Sequence, residues 1–483
     1  MNRKILNLVL TVIPVLVTAC VAPAAVPADS SDAAAEESIV EQDPPNPLSP
    51  CSEGVVEGQF PSECMDLEGD GYARANIILG LGGNCNDAFA GFDTVAEWQD
   101  GELQAYHIPD DPEQSRSARY QQMRDIIDTV NSDFEQSACI ASFDYVIDGD
   151  GHSTFGSPGM KSAEFVDNQH PSLGVGFTEG EYGLDTRVAI SHSGQTGTGV
   201  NIYLFDSFCE DMSALELEGS YLEIRSSRVQ TVKDVIHAPL LCTHGESVFG
   251  MAARMAPQAT YIGIPVLDHN AVGYLSGLVD GLWSVRNELK EMESARIPVV
   301  MNFSLGVRVE QQDRVDPEAH IHLLYEVLHI LKSDAEEMEK GIVFVAAVGN
   351  ANRPEPDLPA GYGFVLGVTS TKGDGSGDLA TYPNQGYNIA APGGDAPINS
   401  DGIRDCAQAG HSCLIVLNSH YSNRTGLWGG TSFAAPIVSG AAAILLELNP
   451  SMTTMDMWHV IVDHADSRRN QMLDVANSLI NMP

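Results

Sequence analysis

Gly429-Gly430-Thr431-Ser432-Phe433-Ala434-Ala435-Pro436 decides how the rest of the chain is read. A glycine-rich turn runs into Phe433–Leu448, a stretch that is apolar on nearly every side. A helix with no polar face is a buried helix. Its first turn carries unpaired N–H groups and partial positive charge, so it stabilises negative charge that develops beside Ser432. Gly429 and Gly430 admit a close backbone or ligand. Pro436 is expected in the first helical turn, where a missing N–H costs nothing. By itself a serine here is an ordinary helix cap. It becomes a nucleophile only when other segments supply a base, an orienting acid and an oxyanion donor.

Three upstream segments supply such groups in order. Asn201-Ile202-Tyr203-Leu204-Phe205-Asp206 reads as a buried strand with a carboxylate at its C-terminal end, where parallel sheets place their sites. Thr243-His244-Gly245-Glu246-Ser247-Val248-Phe249-Gly250 opens a helix, and Met255-Ala256-Pro257-Gln258-Ala259 leads into the next strand. Gly341 to Asn350 is an apolar run ending in a side-chain amide. An isolated histidine is usually a surface or core residue, the better reading for His237, His269, His320 and His322. An isolated Asn after Gly is usually a turn residue. The order Asp206, His244, Asn350, Ser432, in these motifs, resembles the subtilisin-like (subtilase) serine peptidases, whose chain order is Asp, His, Ser.

The resemblance runs from about Glu181 to Met482 and implies a role for each group. Ser432 is the nucleophile, His244 its general base, Asp206 the residue orienting His244, and Asn350 the oxyanion amide. Ser304-Leu305-Gly306 matches the segment that pairs with an extended peptide substrate. Phe364-Val365-Leu366-Gly367-Val368, Asn388 to Gly393 and Leu473-Asp474-Val475 resemble later family signatures, and Gly394 to Cys413 reads as a surface loop. The sequence departs from the family where Ser207-Phe208 follows the aspartate, and where Glu246 and Ser247 follow His244-Gly245. Those departures motivate an alternative, a catalytically inactive, calcium-dependent surface binding protein on a peptidase scaffold. The implied activity is serine endopeptidase, acting on protein or peptide substrates without a catalytic cofactor.

Apolar runs alternate with helical stretches from about residue 181, the mark of an α/β fold. The expected architecture is a three-layer, mostly parallel sheet flanked by helices over 181–482, preceded by a small loop-rich module at 51–175. In that module Gln114 to Val130 reads as a polar helix. Asp66-Leu67-Glu68-Gly69-Asp70-Gly71-Tyr72 resembles metal-binding repeats of bacterial surface proteins, and Asn84-Cys85-Asn86-Asp87 a degraded copy; Asp148-Gly149-Asp150 repeats the alternation. Alternating carboxylates with glycine suit a hard cation, so Asp66, Glu68, Asp70, Asp87, Asp148 and Asp150 are candidate ligands of a structural calcium. Acidic surface turns are the competing reading.

Residues 1–19 read as an export signal: Arg3 and Lys4, then the apolar Ile5 to Val17. Val17-Thr18-Ala19-Cys20 resembles a bacterial lipobox, which implies cleavage before Cys20 and acylation there, tying the protein to a membrane of the cell envelope. Residues 20–50, rich in Ala, Pro, Ser, Asp and Glu, read as a disordered tether. Setting Cys20 aside leaves eight of the nine cysteines, an even count that suits disulfides in an exported chain. Cys209 with Cys242 and Cys406 with Cys413 are suggestive pairs, but connectivity stays open. The net charge of −41, from 66 acidic and 25 basic residues, argues against nucleic-acid partners. No run of eighteen apolar residues follows residue 20, so no internal membrane span is expected.

Overall fold

Side chains of the buried strands divide between two apolar clusters. In Asn201–Ser207, Ile202 and Leu204 join one cluster while Tyr203 and Phe205 join the other. Ile342–Ala347 splits the same way, with Val343 and Val345 on one side and Ile342 and Phe344 on the other. Successive strand residues face opposite sides, so a sheet of such strands needs cover on both. The computed structural model describes residues 64–66, 72–98, 101–109, 114–132, 138–148, 194–208, 214–217, 220–225, 244–268, 271–292, 297–307, 322–372, 377–395, 414–417 and 425–482.

The described chain begins with β1 (Cys64–Asp66), β2 (Tyr72–Leu81), the short α1 (Cys85–Ala88), β3 (Asp93–Trp98), β4 (Leu103–His107), α2 (Arg116–Ser132) and β5 (Ile140–Asp148). The larger part follows: β6 (Asn201–Ser207), β7 (Ala214–Leu217), β8 (Ser220–Ile224), α3 (His244–Met255), β9 (Thr260–Leu267), β10 (Val272–Tyr274), α4 (Leu275–Glu291), β11 (Val299–Phe303) and β12 (Gly306–Val307). Then come α5 (His322–Glu337), β13 (Ile342–Ala347), β14 (Leu366–Thr371), β15 (Ile389–Pro392), β16 (Leu414–Leu417), β17 (Thr425–Trp428), α6 (Thr431–Leu448), α7 (Thr454–Val462) and α8 (Val475–Ile480).

The central sheet has eight strands in the order β15-β14-β13-β11-β6-β9-β8-β7, and every neighbouring pair is parallel except β7 with β8. Residues of α3 and α6 belong to the cluster on one face, and residues of α4 and α5 to the cluster on the other. This is the expected three-layer α/β fold. α6 is long and apolar enough to cross a membrane, but it is 89% buried within the protein and serves as its core helix. Asp474 caps α8 by accepting from the Asn477 N–H at 2.9 Å.

The module expected to stand apart at 51–175 is joined to the rest. Strands β5-β2-β4-β3 form an antiparallel sheet in split βαβ order. Tyr120, Met123, Ile127 and Val130 line the buried face of α2 at helical spacing. The same sheet continues through β5 into β10 and β12, and residues of β2, β4 and β5 share one apolar cluster with residues of α4 and α5. Cys85 and Cys139 form a disulfide across a sequence separation of 54 residues. Cys64 lies in β1, and the other cysteines lie outside the described residues. Replacing Cys85 and Cys139 by serine should lower stability by about 4 kcal/mol from loop closure alone. The check is denaturant unfolding of both proteins under non-reducing conditions; equal midpoints would reject the estimate.

Candidate active site

Asp206 is the last residue but one of β6 and is wholly enclosed. His244 is the first residue of α3, and its Nδ1 lies 2.7 Å from Asp206 Oδ1. The same oxygen accepts the Ser207 backbone N–H at 2.7 Å, which fixes the carboxylate's rotation. An ionised carboxylate only accepts, so Nδ1 carries the proton and Nε2 of the neutral ring is left basic. Gly245 lets α3 begin this close to β6, since a Cβ there would collide with the Ser207 carbonyl. The unexpected Phe208 finds its place here too: its ring packs over Gly245 and Gly263. Glu246, the other departure, is buried in the first turn of α3, where a carboxylate suits the helix dipole. Neither change disturbs the Asp206–His244 contact.

Ser432 is the second residue of α6, and Gly430 is its N-cap. The Phe433 ring centroid lies 5.3 Å from that of His244, which brings the serine's neighbour against the base. Pro436 falls in the second turn rather than the first. Lacking an N–H, it leaves the carbonyl four residues back, that of Ser432, without its helical donor. The Ser304 hydroxyl takes that role at 2.7 Å. Asn302 Nδ2 donates to Ser304 Oγ at 2.9 Å, and Ser439 Oγ donates to Asn302 Oδ1 at 2.9 Å. This buried chain ties β11 to α6 and braces the backbone of Ser432. Ser304 therefore acts as a brace through its side chain, beside the peptide-pairing role read from the motif.

Asn350 Oδ1 accepts from Thr431 N and Thr431 Oγ1, both at 2.9 Å. A backbone N–H can only donate, so the oxygen is assigned and the Nδ2 donor is turned the other way, toward Gly430. That sets the Nδ2 donor beside the helix start.

The strand that follows Ser304 is paired within the chain. β5 pairs antiparallel with β12, Gly306 opposite Asp148 and Val307 opposite Ile147. On its other edge it pairs antiparallel with β10. Gly306 thus pairs with an extended strand of the same chain, and Leu305 is buried. Asp144 of β5 fastens the arrangement. One carboxylate oxygen accepts the Ser276 N–H of α4 at 2.9 Å and the other accepts the Ser276 hydroxyl at 3.1 Å. Burial pushes its pKa up to about 6, against the opposing pull of the Ser276 hydrogen bonds and of Arg74 at 3.8 Å.

The six candidate cation ligands do not share one place. Strand pairing puts the Asp66 end of β1 and the Asp148 end of β5 toward the same end of β2, because Asp66 faces Tyr72 and Ala73 faces Tyr145. Asp87 follows the opposite end of β2, exposed on α1. Glu68, Asp70 and Asp150 lie outside the described residues, as does Cys20. Among the described residues no group of three His, Cys, Asp or Glu side chains is placed to hold a metal.

Residues 242–477 match the model of the subtilase family, a span that holds His244, Asn350 and Ser432. Asp206 precedes it and is joined to it by the 2.7 Å contact with His244. The chain carries a subtilase domain. The chain is similar to the minor extracellular protease Epr of Bacillus subtilis, 26% identical over 294 residues, which are 58% of this chain and 37% of that protein. The thermostable alkaline protease of Halalkalibacterium halodurans is 27% identical, over 44% of this chain and 48% of that one. Serine protease AprX of Bacillus subtilis is 24% identical, over 60% and 68%. The subtilase thus spans under half the length of the first two. A solved cold adapted subtilisin-like serine proteinase is 22% identical, with a TM-score of 0.40, over 56% of this chain and 84% of that one.

Asn302 and Ser439 escaped the sequence reading, although each left a signal. Asn302 interrupts the apolar strand Val299–Phe303 and Ser439 the apolar helix, and buried polar groups of that kind need partners.

Proposed function

We propose that this subtilase is a serine endopeptidase acting on extended polypeptide. The carrying observation is the enclosed Asp206–His244 contact at 2.7 Å, made in a site whose other wall is the start of the Ser432 helix. His244 Nε2 takes the Ser432 proton as the hydroxyl attacks a peptide carbonyl. The tetrahedral oxyanion is met by Asn350 Nδ2 and the Ser432 N–H at the positive end of α6. His244 then gives its proton to the leaving amine, and water releases the acyl group by the same steps in reverse. The pairing of β5 with β10 and β12 supports an extended substrate, since a foreign peptide satisfies the same backbone groups. The test is a fluorophosphonate probe with peptide mapping: a modified Ser432 is expected, and an unmodified one under conditions that preserve the fold would defeat the reading.

For a substrate to bind, β5 leaves the cleft, and Asp144 makes that step pH-dependent. Its pKa is raised by burial, so the paired arrangement holds a proton more tightly than the freed strand. The contribution is whole below the ordinary value of 3.8 and fades as the pH rises through about 6. Hydrogen exchange across β5, corrected for intrinsic rates, should therefore be faster at pH 7.5 than at pH 5. Asp144→Asn should flatten that difference; an unchanged difference in the variant would assign it elsewhere.

We propose export with an acylated Cys20 as the membrane anchor. The Arg3 and Lys4 start, the apolar Ile5 to Val17 and the oxidised Cys85–Cys139 pair support this reading. Intact-mass analysis finding an unmodified N-terminus would remove it. Calcium belongs to this proposal as a structural ion only, at the Asp66 turn and the Asp148 end of β5, with Asp87 left out.

A further inference from the structure

After β11 and β13 part at the carboxyl end of the sheet, their continuations run through Gly306 and Gly349. Both lack a side chain, and Asp357 takes space at each, joined at Gly349 by Asn384 Nδ2. A Cβ added at Gly306 would meet the Asp357 Cβ at 2.7 Å, and one at Gly349 would collide with Asp357 Oδ2. Gly349 also has φ +95°, which favours glycine. The carboxylate is 3% exposed and held from three sides. Its backbone N–H donates to the Val348 carbonyl at 2.9 Å, Asn384 Nδ2 approaches Oδ2 at 3.3 Å, and Arg353 grips Oδ1. Asn384 Oδ1 in turn accepts the N–H groups of Ala351 and Arg353 at 3.1 and 3.0 Å, which anchors the loop. Arg353 is the more accessible member of the pair, 18% exposed against 4% for Asp357.

The slot lies beside the chemistry. Asn350 follows Gly349 directly. A peptide in the place of β5 has one residue opposite Gly306, and its continuation passes Leu305 to reach Ser304, whose hydroxyl touches the Ser432 carbonyl. The side chain next to the attacked bond therefore meets the slot between Gly306 and Gly349.

We propose that Asp357 is the specificity-determining residue of this site and selects a basic side chain, Arg or Lys, on the acyl side of the bond cut. The proposal rests on the peptidase reading above. Arg353 holds the place in the free protein. An incoming guanidinium or ammonium replaces it ion for ion, while Arg353 swings to solvent. A large apolar side chain offers no cation, finds the slot filled, and would seal an ion pair away from water. An acidic one meets a buried like charge. Sites built to pair a polar group reject partners that leave it unpaired far more strongly than they reject a changed methylene count.

The experiment measures kcat/KM of the full chain on fluorogenic peptides identical except for Arg, Lys, Leu, Phe or Glu at that position. Rates are normalised to sites titrated with a fluorophosphonate. Arg and Lys are expected to lead by about 100-fold, and benzamidine should compete with substrate. Asp357→Asn should erase the preference while labelling of Ser432 persists. Arg353→Ala should raise the ratio of cleavage after Arg to cleavage after Leu several-fold, since Leu would then cover an unpaired carboxylate, a readout that survives should Asp357→Asn fail to fold. A labelled wild type that cuts after Leu, Phe or Glu as readily as after Arg, or that ignores benzamidine, would overturn the assignment of Asp357 and spare the peptidase reading. Absence of labelling would bring down both.

Discussion

Ser432→Ala is expected to lower turnover by the order of a million-fold and to leave the fold intact. The figure is that of subtilisin, a member of the same family, where loss of the nucleophile costs about as much as loss of the whole triad. The structural half of the expectation comes from this chain. The bond that braces residue 432 runs from the Ser304 hydroxyl to its backbone carbonyl, which alanine keeps. The helix begins with Gly430 as cap, Phe433 stays against the His244 ring, and Thr431 keeps its two bonds to Asn350. Thermal unfolding should match that of the wild type, while peptide cleavage and fluorophosphonate labelling vanish together. Retained cleavage in the variant would mean that another group attacks.

Asp206→Asn should cost about 10,000-fold in turnover, a magnitude known from the same substitution in a serine protease of another fold. The physical reason lies in Asp206 Oδ1, which faces both His244 Nδ1 and the Ser207 N–H, each at 2.7 Å. In the variant the amide oxygen held by the Ser207 N–H keeps the contact to Nδ1 but carries no charge, so the imidazolium that forms as the serine loses its proton has no counter-charge. The loss should fall on kcat with KM nearly unchanged, because the defect acts in the transition state. A rise in KM at constant kcat would show that Asp206 serves binding instead.

Much of this architecture was legible in the residue order. The runs at Asn201–Asp206, Ile342–Asn350 and Phe433–Leu448 carry their burial and their polar termini in plain sight, because local periodicity reports which face is covered. The joining of the N-terminal strands to the larger part was not. β5 finds its partners at Val272–Tyr274 and Gly306–Val307, and a pairing across more than a hundred residues leaves no local pattern. The grouping of the candidate cation ligands meets the same limit. Asp66 and Asp87 are near in sequence but lie toward opposite ends of β2, whereas Asp148, far along the chain, sits at the Asp66 end. Asp357 carries no motif; only the two glycines that face it give it meaning.

The strand in the cleft has a consequence for how its hold depends on chain integrity. While β5 is continuous with the rest of the chain, a peptide proposed to take its place would compete with an intramolecular strand, whose hold does not depend on how dilute the protein is. A single cut anywhere between Asp148 and Gly194 abolishes that advantage without changing one contact in the groove. From then on occupancy follows mass action, so dilution empties the groove and crowding many copies together refills it.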